Sequence, residues 1–313
     1  MQFNPTLYLL FFSFIPIKSF AQDSNLETHL AKLGPDQFAL IKFEAGWCDP
    51  CQKLKSEVFE APKQDPLIQR FPLIQVDFDA PTNRHLVEEF NVLGLPTVVV
   101  VDANRQQIGR VSGYSSPQEF VQELQNVVSG QNKLTTLTNK FINTPSLKTK
   151  VALGHAYLVR GQQKEGETLL QEASWNGVPT QASEGAQALF YLGRYHQRVR
   201  RDPKQASGIW RQLMGHYPNS SFSTGALWWY IKAAIELKQL PLANSAIQAQ
   251  YQVVENPFPI LEIWWHFIKK TKLYREIPNL RNALTKFAQS GPKPATQKRL
   301  EEILSAIKAT PSR

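Results

Sequence analysis

The sequence predicts two domains, an α/β domain followed by an all-α domain of paired helices. Apolar runs typical of strands are confined to the first 130 residues, and amphipathic helical patterns with short connections fill residues 146–309. Net charge changes at the same boundary. Residues 23–130 contain 9 Lys+Arg and 15 Asp+Glu, a net charge of −6, whereas residues 131–313 contain 25 and 11, a net charge of +14. We therefore predict an α/β domain over 22–130, a linker over 131–145 and a helical domain over 146–313.

The first 21 residues are predicted to be a signal peptide. Residues 7–17 form an apolar run as long as a signal-peptide core and too short to span a bilayer. Ser19-Phe20-Ala21 places small residues before an expected cleavage site at Gln22. The segment before the run lacks Lys and Arg, so an uncleaved anchor is the alternative. Both interpretations predict an exported, periplasmic protein.

The elements of the α/β domain follow from the positions of its apolar runs. Residues 38–43 and 73–77 are predicted to be strands, because both are short apolar runs. Helices are predicted over 52–59, directly after the first strand, and over the amphipathic segment 118–128.

The motif Trp47-Cys48-Asp49-Pro50-Cys51 lies between the first strand and its helix. This places the first thiol at a helix N-terminus, where unpaired backbone N–H groups and the helix dipole favour thiolate. The second thiol follows about one turn later, close enough to form a disulfide with the first. Because these are the only cysteines among 313 residues, a redox-active pair is predicted.

Two alternatives for the cysteine pair are weaker. A structural zinc site needs four ligands, yet there is no second cysteine pair and the six histidines are scattered. A structural disulfide across so short a loop would constrain little of the unfolded chain. We therefore expect no metal and no cofactor other than the redox-active disulfide Cys48–Cys51.

Residues 37–128 resemble a thioredoxin domain. Within the thioredoxin family they are similar to the C-terminal periplasmic domain of the thiol–disulfide interchange protein DsbD. The motifs that carry the resemblance are the strand leading into Trp47, Val58-Phe59, and Asn91-Val92-Leu93-Gly94-Leu95-Pro96-Thr97 before the next strand. The resemblance covers about a third of the chain. It implies a thiol–disulfide oxidoreductase with a thioredoxin fold, in which 73–77 would run parallel to the first strand and 98–101 and 107–111 would complete the sheet.

The resemblance also implies roles for individual residues. Cys48 would be the exposed nucleophile, Cys51 the buried resolving thiol, and Trp47 a shield over the pair. Pro96 would be cis and would shape the groove for the partner's backbone. The residues expected to line this groove are Trp47, Asp49, Pro50, Leu95, Pro96 and Gly113.

Two lysines occupy positions where thioredoxin-like domains carry acids. Lys42 replaces a buried acid of the central strand, and Lys55 replaces an acid of the DsbD-like active-site helix. Two lysines should stabilise a nearby thiolate and favour the dithiol form. Glu44 lies on the same face of the strand as Lys42 and would oppose this effect. Electron flow toward substrates is the leading hypothesis, and an oxidant or isomerase is the alternative.

The helical domain resembles a degenerate tetratricopeptide solenoid. Leu153-Gly154 and Leu192-Gly193 begin two copies of the pattern, and Asp202-Pro203 provides an N-cap and a proline for a second helix. The pairs Trp228-Trp229 and Trp264-Trp265 are 36 residues apart, close to the 34-residue repeat. Adjacent helical residues point about 100° apart, so at most one tryptophan of each pair is expected to face the core. The alternative is an aromatic-lined concave surface that holds an extended peptide.

The basic helical domain is expected to bind a protein partner. Nucleic acid is not expected, because the protein is predicted to be exported and its basic residues are dispersed. The densest run, Arg194, Arg198, Arg200, Arg201 and Lys204, is predicted to be a solvated helix end. The charge asymmetry permits docking on the acidic redox domain, on an acidic client or on anionic lipid.

The predicted partners of the cysteine pair are protein thiols or disulfides, with a membrane thiol reductase as electron donor. The alternative function is an adaptor or assembly protein whose repeat domain is the main function. Its cysteine pair would then act as a redox sensor or lock.

Overall fold

The computed structural model describes residues 24–35, 37–130, 133–180 and 182–310, so the predicted signal peptide lies outside the described residues. The first domain contains one mixed four-stranded sheet. Its strands are β1 (Ala39–Glu44), β2 (Leu73–Asp77), β3 (Thr97–Val101) and β4 (Gln107–Ser112). Their spatial order is β2-β1-β3-β4, with β1 parallel to β2 and the other neighbours antiparallel.

Helices cover both faces of this sheet. They are α1 (Ser24–Leu30), α2 (Asp49–Leu54), α3 (Pro66–Gln69), α4 (Arg84–Glu89) and α5 (Pro117–Val128). Because side chains alternate along a strand, Ile41 and Phe43 pack with α1 and α4 on one face, whereas Leu40 packs with α2, α3 and α5 on the other. A π-helical turn, Lys55–Phe59, continues α2. The α/β prediction is confirmed.

The second domain contains ten helices within the described ranges. They are α6 (Lys133–Asn143), α7 (Leu147–Val159), α8 (Gln163–Gly177), α9 (Ser183–Arg194), α10 (Pro203–His216), α11 (Ser223–Glu236), α12 (Leu240–Val253), α13 (Phe258–Thr271), α14 (Ile277–Ala288) and α15 (Pro294–Lys308). Consecutive helices pack against each other, and α7 also contacts α9 as α11 contacts α13. The first helices of successive pairs therefore form a row.

Local details of the paired helices agree with the sequence pattern. The Asp202 carboxylate accepts the Gln205 amide hydrogen at 2.9 Å, and Pro203 begins α10, as predicted. A Cβ atom added to Gly193 would lie 2.5 Å from the Trp210 ring, so glycine is needed where α9 meets α10. These features are consistent with a helical repeat domain.

Two predictions for this region are wrong. Most of the expected linker, residues 131–145, is helix α6, because Leu134, Leu137 and Phe141 form a half-buried apolar stripe at helical spacing. Trp264 and Trp265 are both buried, with 3% and 7% exposure. Since α11, α12 and α14 all contact α13, more than one side of this helix faces the core.

Candidate active site

The disulfide between Cys48 and Cys51 lies where β1 leads into α2. Cys48 is the N-cap residue of α2, and its Sγ accepts the backbone N–H of Cys51 at 3.2 Å. The two Cα atoms are 5.2 Å apart. The first sulfur therefore lies at a helix N-terminus, as the motif predicts, with a backbone donor directed at it. Such a donor stabilises a thiolate more than a thiol.

Both cysteines are buried, with exposed fractions of 4% for Cys48 and 1% for Cys51. The expectation of an exposed Cys48 is therefore wrong, since Phe78 and Leu95 pack over the pair. Trp47, the predicted shield, is 59% exposed, and its indole N–H donates to the Asp79 carboxylate. This hydrogen bond holds Trp47 at the rim of the site.

The loop that faces the disulfide contains Pro96. The Leu95–Pro96 peptide bond is cis, as predicted, and the Gly113 amide donates to the Pro96 carbonyl at 2.8 Å. Of the predicted groove residues, Trp47, Leu95 and Pro96 line one cavity of about 400 Å³. The other three, Asp49, Pro50 and Gly113, are exposed and lie outside the lining of that cavity.

The two lysines at acid positions both have carboxylate partners. Lys42 is fully buried beneath α2, with Nζ 2.8 Å from Glu44 Oε2 and 5.2 Å from the centre of the Phe59 ring. Lys55 lies nearer the surface, 3.4 Å from Glu60. Each carboxylate offsets the charge that its lysine presents to the sulfur atoms.

Residues 28–128 match the family model of the thioredoxin-like domain. This part of the chain is a thioredoxin-like domain. Similar curated proteins include the thiol:disulfide interchange protein DsbD of Haemophilus influenzae, 30% identical over 110 residues, which are 34% of this chain and 19% of the relative. DsbD of Yersinia pestis is 33% identical over 91 residues, or 28% of this chain and 15% of the relative. The chain thus spans less than a fifth of the length of these relatives.

A solved structure is also similar to the thioredoxin-like domain. The oxidised C-terminal domain of Neisseria meningitidis DsbD is 23% identical, and the match covers 33% of this chain and 90% of that domain, with a TM-score of 0.29.

The helical domain forms the second wall of the 400 Å³ cavity, hereafter the composite cavity. Its lining from this domain includes Phe190, Tyr191, Arg194 and Trp229. Arg194 donates from Nε and Nη2 to the Leu93 carbonyl, at 3.0 and 2.5 Å. The Leu93 side chain packs into the core of the helical domain. The sequence motifs do not reveal this wall, because its residues become neighbours only when the domains pack.

Arg198 brings a positive charge close to the cysteine pair. Its guanidinium lies 4.3 Å from the Phe78 ring, which packs on the disulfide, and 6.0 Å from the Trp47 ring. Burial lowers the pKa of Arg198 to about 10, and the charge of Asp79 opposes this shift. The expected solvated helix end is therefore wrong for Arg198, which is only 6% exposed. The tertiary contact with Phe78 buries a residue that the charge run alone places in solvent.

Candidate metal sites and membrane-spanning helices are both absent from the residues that the structure describes. No three His, Cys, Asp or Glu side chains there are placed to hold a metal ion. None of the helices in the same ranges combines the length and the apolar character needed to cross a bilayer.

Proposed function

We propose that this protein is a thiol–disulfide oxidoreductase that exchanges disulfides through Cys48 and Cys51. The observation that carries the proposal is the Cys48–Cys51 disulfide at the start of α2, with the Cys51 amide directed at Cys48 Sγ. The similarity of residues 28–128 to DsbD proteins supports the same activity.

The reaction proceeds in two exchange steps. In the reduced protein, the Cys48 thiolate attacks one sulfur of a client disulfide, and the other client sulfur leaves as a thiolate. The Cys51 thiolate then attacks Cys48 Sγ, which re-forms the Cys48–Cys51 bond and releases the second client thiolate. Two electrons pass from the protein to the client, and the two thiol protons follow them. The Cys51 amide stabilises negative charge on Cys48 Sγ when this sulfur attacks and when it leaves.

We place this exchange in an exported, periplasmic setting and in the reducing direction. A membrane thiol reductase would then return the cysteines to the dithiol form, and the tetratricopeptide-like domain would select the client. Similarity to DsbD supports a membrane thiol reductase as the electron donor. The helical domain forms one wall of the composite cavity, which supports its role in selecting the client.

Reduction of insulin by dithiothreitol tests the proposal. The wild-type protein should accelerate the reaction, and Cys48→Ala should abolish the acceleration. Cys51→Ala should instead accumulate a mixed disulfide on Cys48, because the resolving thiol is missing. Lys308→Gln, an exposed change at the end of α15, serves as the matched control and should behave as wild type. Wild-type turnover no faster than that of Cys48→Ala would contradict the proposal and favour an adaptor with a redox lock.

A further inference from the structure

Cationic and aromatic side chains alternate along the row formed by α7, α9, α11 and α13, beginning at the composite cavity. His155 of α7 stacks on Tyr191 of α9, with ring centres 4.1 Å apart. Arg194 lies 4.4 Å from the Trp229 ring of α11. We call Arg194, Arg198, Trp228, Trp229 and Lys232 the cationic strip. It links the wall of the cavity to α13, where His266 packs on Trp228 at 4.7 Å.

The three cations of this strip have no ion-pair partner within 4 Å in the described part of the chain. Arg198 Nη1 is buried and has no hydrogen-bond partner there. Lys232 Nζ lies 4.5 Å from the Trp229 ring and is bordered by Arg198, Lys270 and Arg194. Among the residues that the structure describes, Asp79 is the one acid whose charge acts on both Lys232 and Arg198, and it also accepts the Trp47 hydrogen bond. Positive charge therefore exceeds negative charge where the strip meets the active site.

We propose that the composite cavity and the cationic strip bind an acidic polypeptide segment next to the client cysteine that reacts with Cys48. This inference rests on the proposed function and names its substrate class. One wall of the cavity is formed by Leu95 and Pro96 beside the disulfide, and the other by Tyr191, Arg194 and Trp229. A client chain whose sulfur reaches Cys48 passes between these walls. Its next residues then lie beside Arg194, Arg198 and Lys232, where carboxylates compensate the unpaired positive charge.

The shape of the site favours a polypeptide over an anionic membrane surface. The cavity is a cleft between two domains, and its volume of about 400 Å³ suits a few side chains. Trp229 and Tyr191 offer flat faces along which an extended chain can lie. A flat bilayer cannot enter such a cleft.

Two synthetic peptides test the proposal with the full-length reduced protein. Both contain the same internal disulfide, and they differ only in four flanking residues, which are Glu in one and Gln in the other. The rate constant for oxidation of the protein is measured for each by rapid mixing and acid quenching. The Glu peptide should react at least about fivefold faster at low ionic strength, because complementary charge raises association rates. The preference should fall below about twofold in about 1 M NaCl, where the screening length is about 3 Å.

Variants test whether the cationic strip causes the preference for the Glu peptide. Lys232 is exposed, so Lys232→Gln should fold normally and should lower the Glu-to-Gln rate ratio about two- to fivefold, as expected for one exposed ion pair. Lys232→Glu should lower the ratio further. Lys308→Gln, the matched removal of an exposed lysine on α15, should leave the ratio as in wild type.

Each other outcome overturns the proposal in a distinct way. Equal rates for both peptides would refute acidic selectivity and leave the oxidoreductase function intact. Reaction with neither peptide would refute the proposed function together with this inference. Equal rates combined with Lys232-dependent binding to phosphatidylglycerol vesicles would assign the strip to a lipid surface instead.

Discussion

Arg194, the last residue of α9, donates two hydrogen bonds to the carbonyl of Leu93, three residues before Pro96. The two residues are 101 positions apart in the chain. A second arginine bridges the domains in the opposite direction, since Arg110 of β4 donates to the carbonyl of Val159 at the end of α7. The helical domain thus holds the loop that faces the disulfide. Each domain supplies an arginine whose guanidinium donates to a backbone carbonyl of the other domain.

Replacement of Arg194 should loosen the loop before Pro96. Arg194→Met removes a charged donor from the Leu93 carbonyl, at an expected cost of about 1.5–3 kcal/mol in the free energy of unfolding. Hydrogen exchange should accelerate at residues 92–97, and urea unfolding should give the free-energy change. Arg281→Met on α14 is the matched control, because Arg281 is exposed. Equal protection of the loop in Arg194→Met and wild type would show that Leu93 packing alone holds it.

The radius of gyration should stay constant between about 0.01 and 1 M NaCl, although the two domains carry opposite net charge. The Arg194 hydrogen bonds end on a neutral carbonyl, and Leu93 is packed in the core of the helical domain. The interdomain ion pair Arg201–Glu88 is 3.5 Å long and about 40% exposed on both sides, so we expect at most about 1 kcal/mol from it. Small-angle scattering across this salt range provides the measurement. Growth of the radius with salt would mean that charge attraction holds the domains together.

Lys42 and Glu44 should behave as one neutral unit. Glu44→Gln leaves the fully buried Lys42 ammonium without its partner, and we expect a loss of about 3–5 kcal/mol in unfolding free energy. Lys42→Met should cost less, because the Glu44 side chain is 18% exposed and can reach water. The double variant should lie close to wild type or above it. Urea unfolding of all four proteins gives the coupling energy, and strict additivity would contradict the pairing.

The same pair bears on the reduction potential of the cysteines. Since Glu44 offsets the charge of Lys42, replacing both residues (Lys42→Met with Glu44→Gln) leaves the local net charge unchanged and should shift the potential by less than about 30 mV, which corresponds to about 1.4 kcal/mol. Equilibration of each variant with glutathione provides the potential. A larger shift toward reducing values would revive the sequence-based expectation that Lys42 acts on the thiolate alone.

Local patterns predicted the thioredoxin-like domain well, and long-range packing explains most of what they missed. Strand β2 and the N-cap position of Cys48 follow from features that lie within a few residues of one another. Arg198 could not be placed correctly, because its burial depends on Phe78, 120 positions earlier. The cover over Cys48 likewise comes from Phe78 and Leu95, which only the tertiary fold brings to the disulfide.

Protonation of His196 should make the protein less stable in mild acid. Burial lowers the pKa of His196 below its usual 6.5, although the charges of Glu167 and Asp202 oppose this shift. Its Nε2 lies 3.2 Å from Glu167 Oε1. As the pH falls through about 6.5, the unfolded chain binds a proton before the folded protein does, so stability decreases until the lower folded pKa is passed. Above about pH 6.5 the imidazole is neutral in both states, and its contribution no longer changes.

His196→Gln should therefore flatten the decline in urea midpoint between about pH 7.5 and pH 5. Part of the decline should persist, because the pKa of His266 is also lowered, by burial and by Lys270, Lys269 and Lys232. His266→Gln should remove that part, and the double variant should be the least sensitive of the four proteins. The decisive comparison is the slope of stability against pH in wild type and His196→Gln. Equal slopes would mean that the charge of Glu167 cancels the effect of burial, so that His196 has the same pKa in the folded protein and in the unfolded chain.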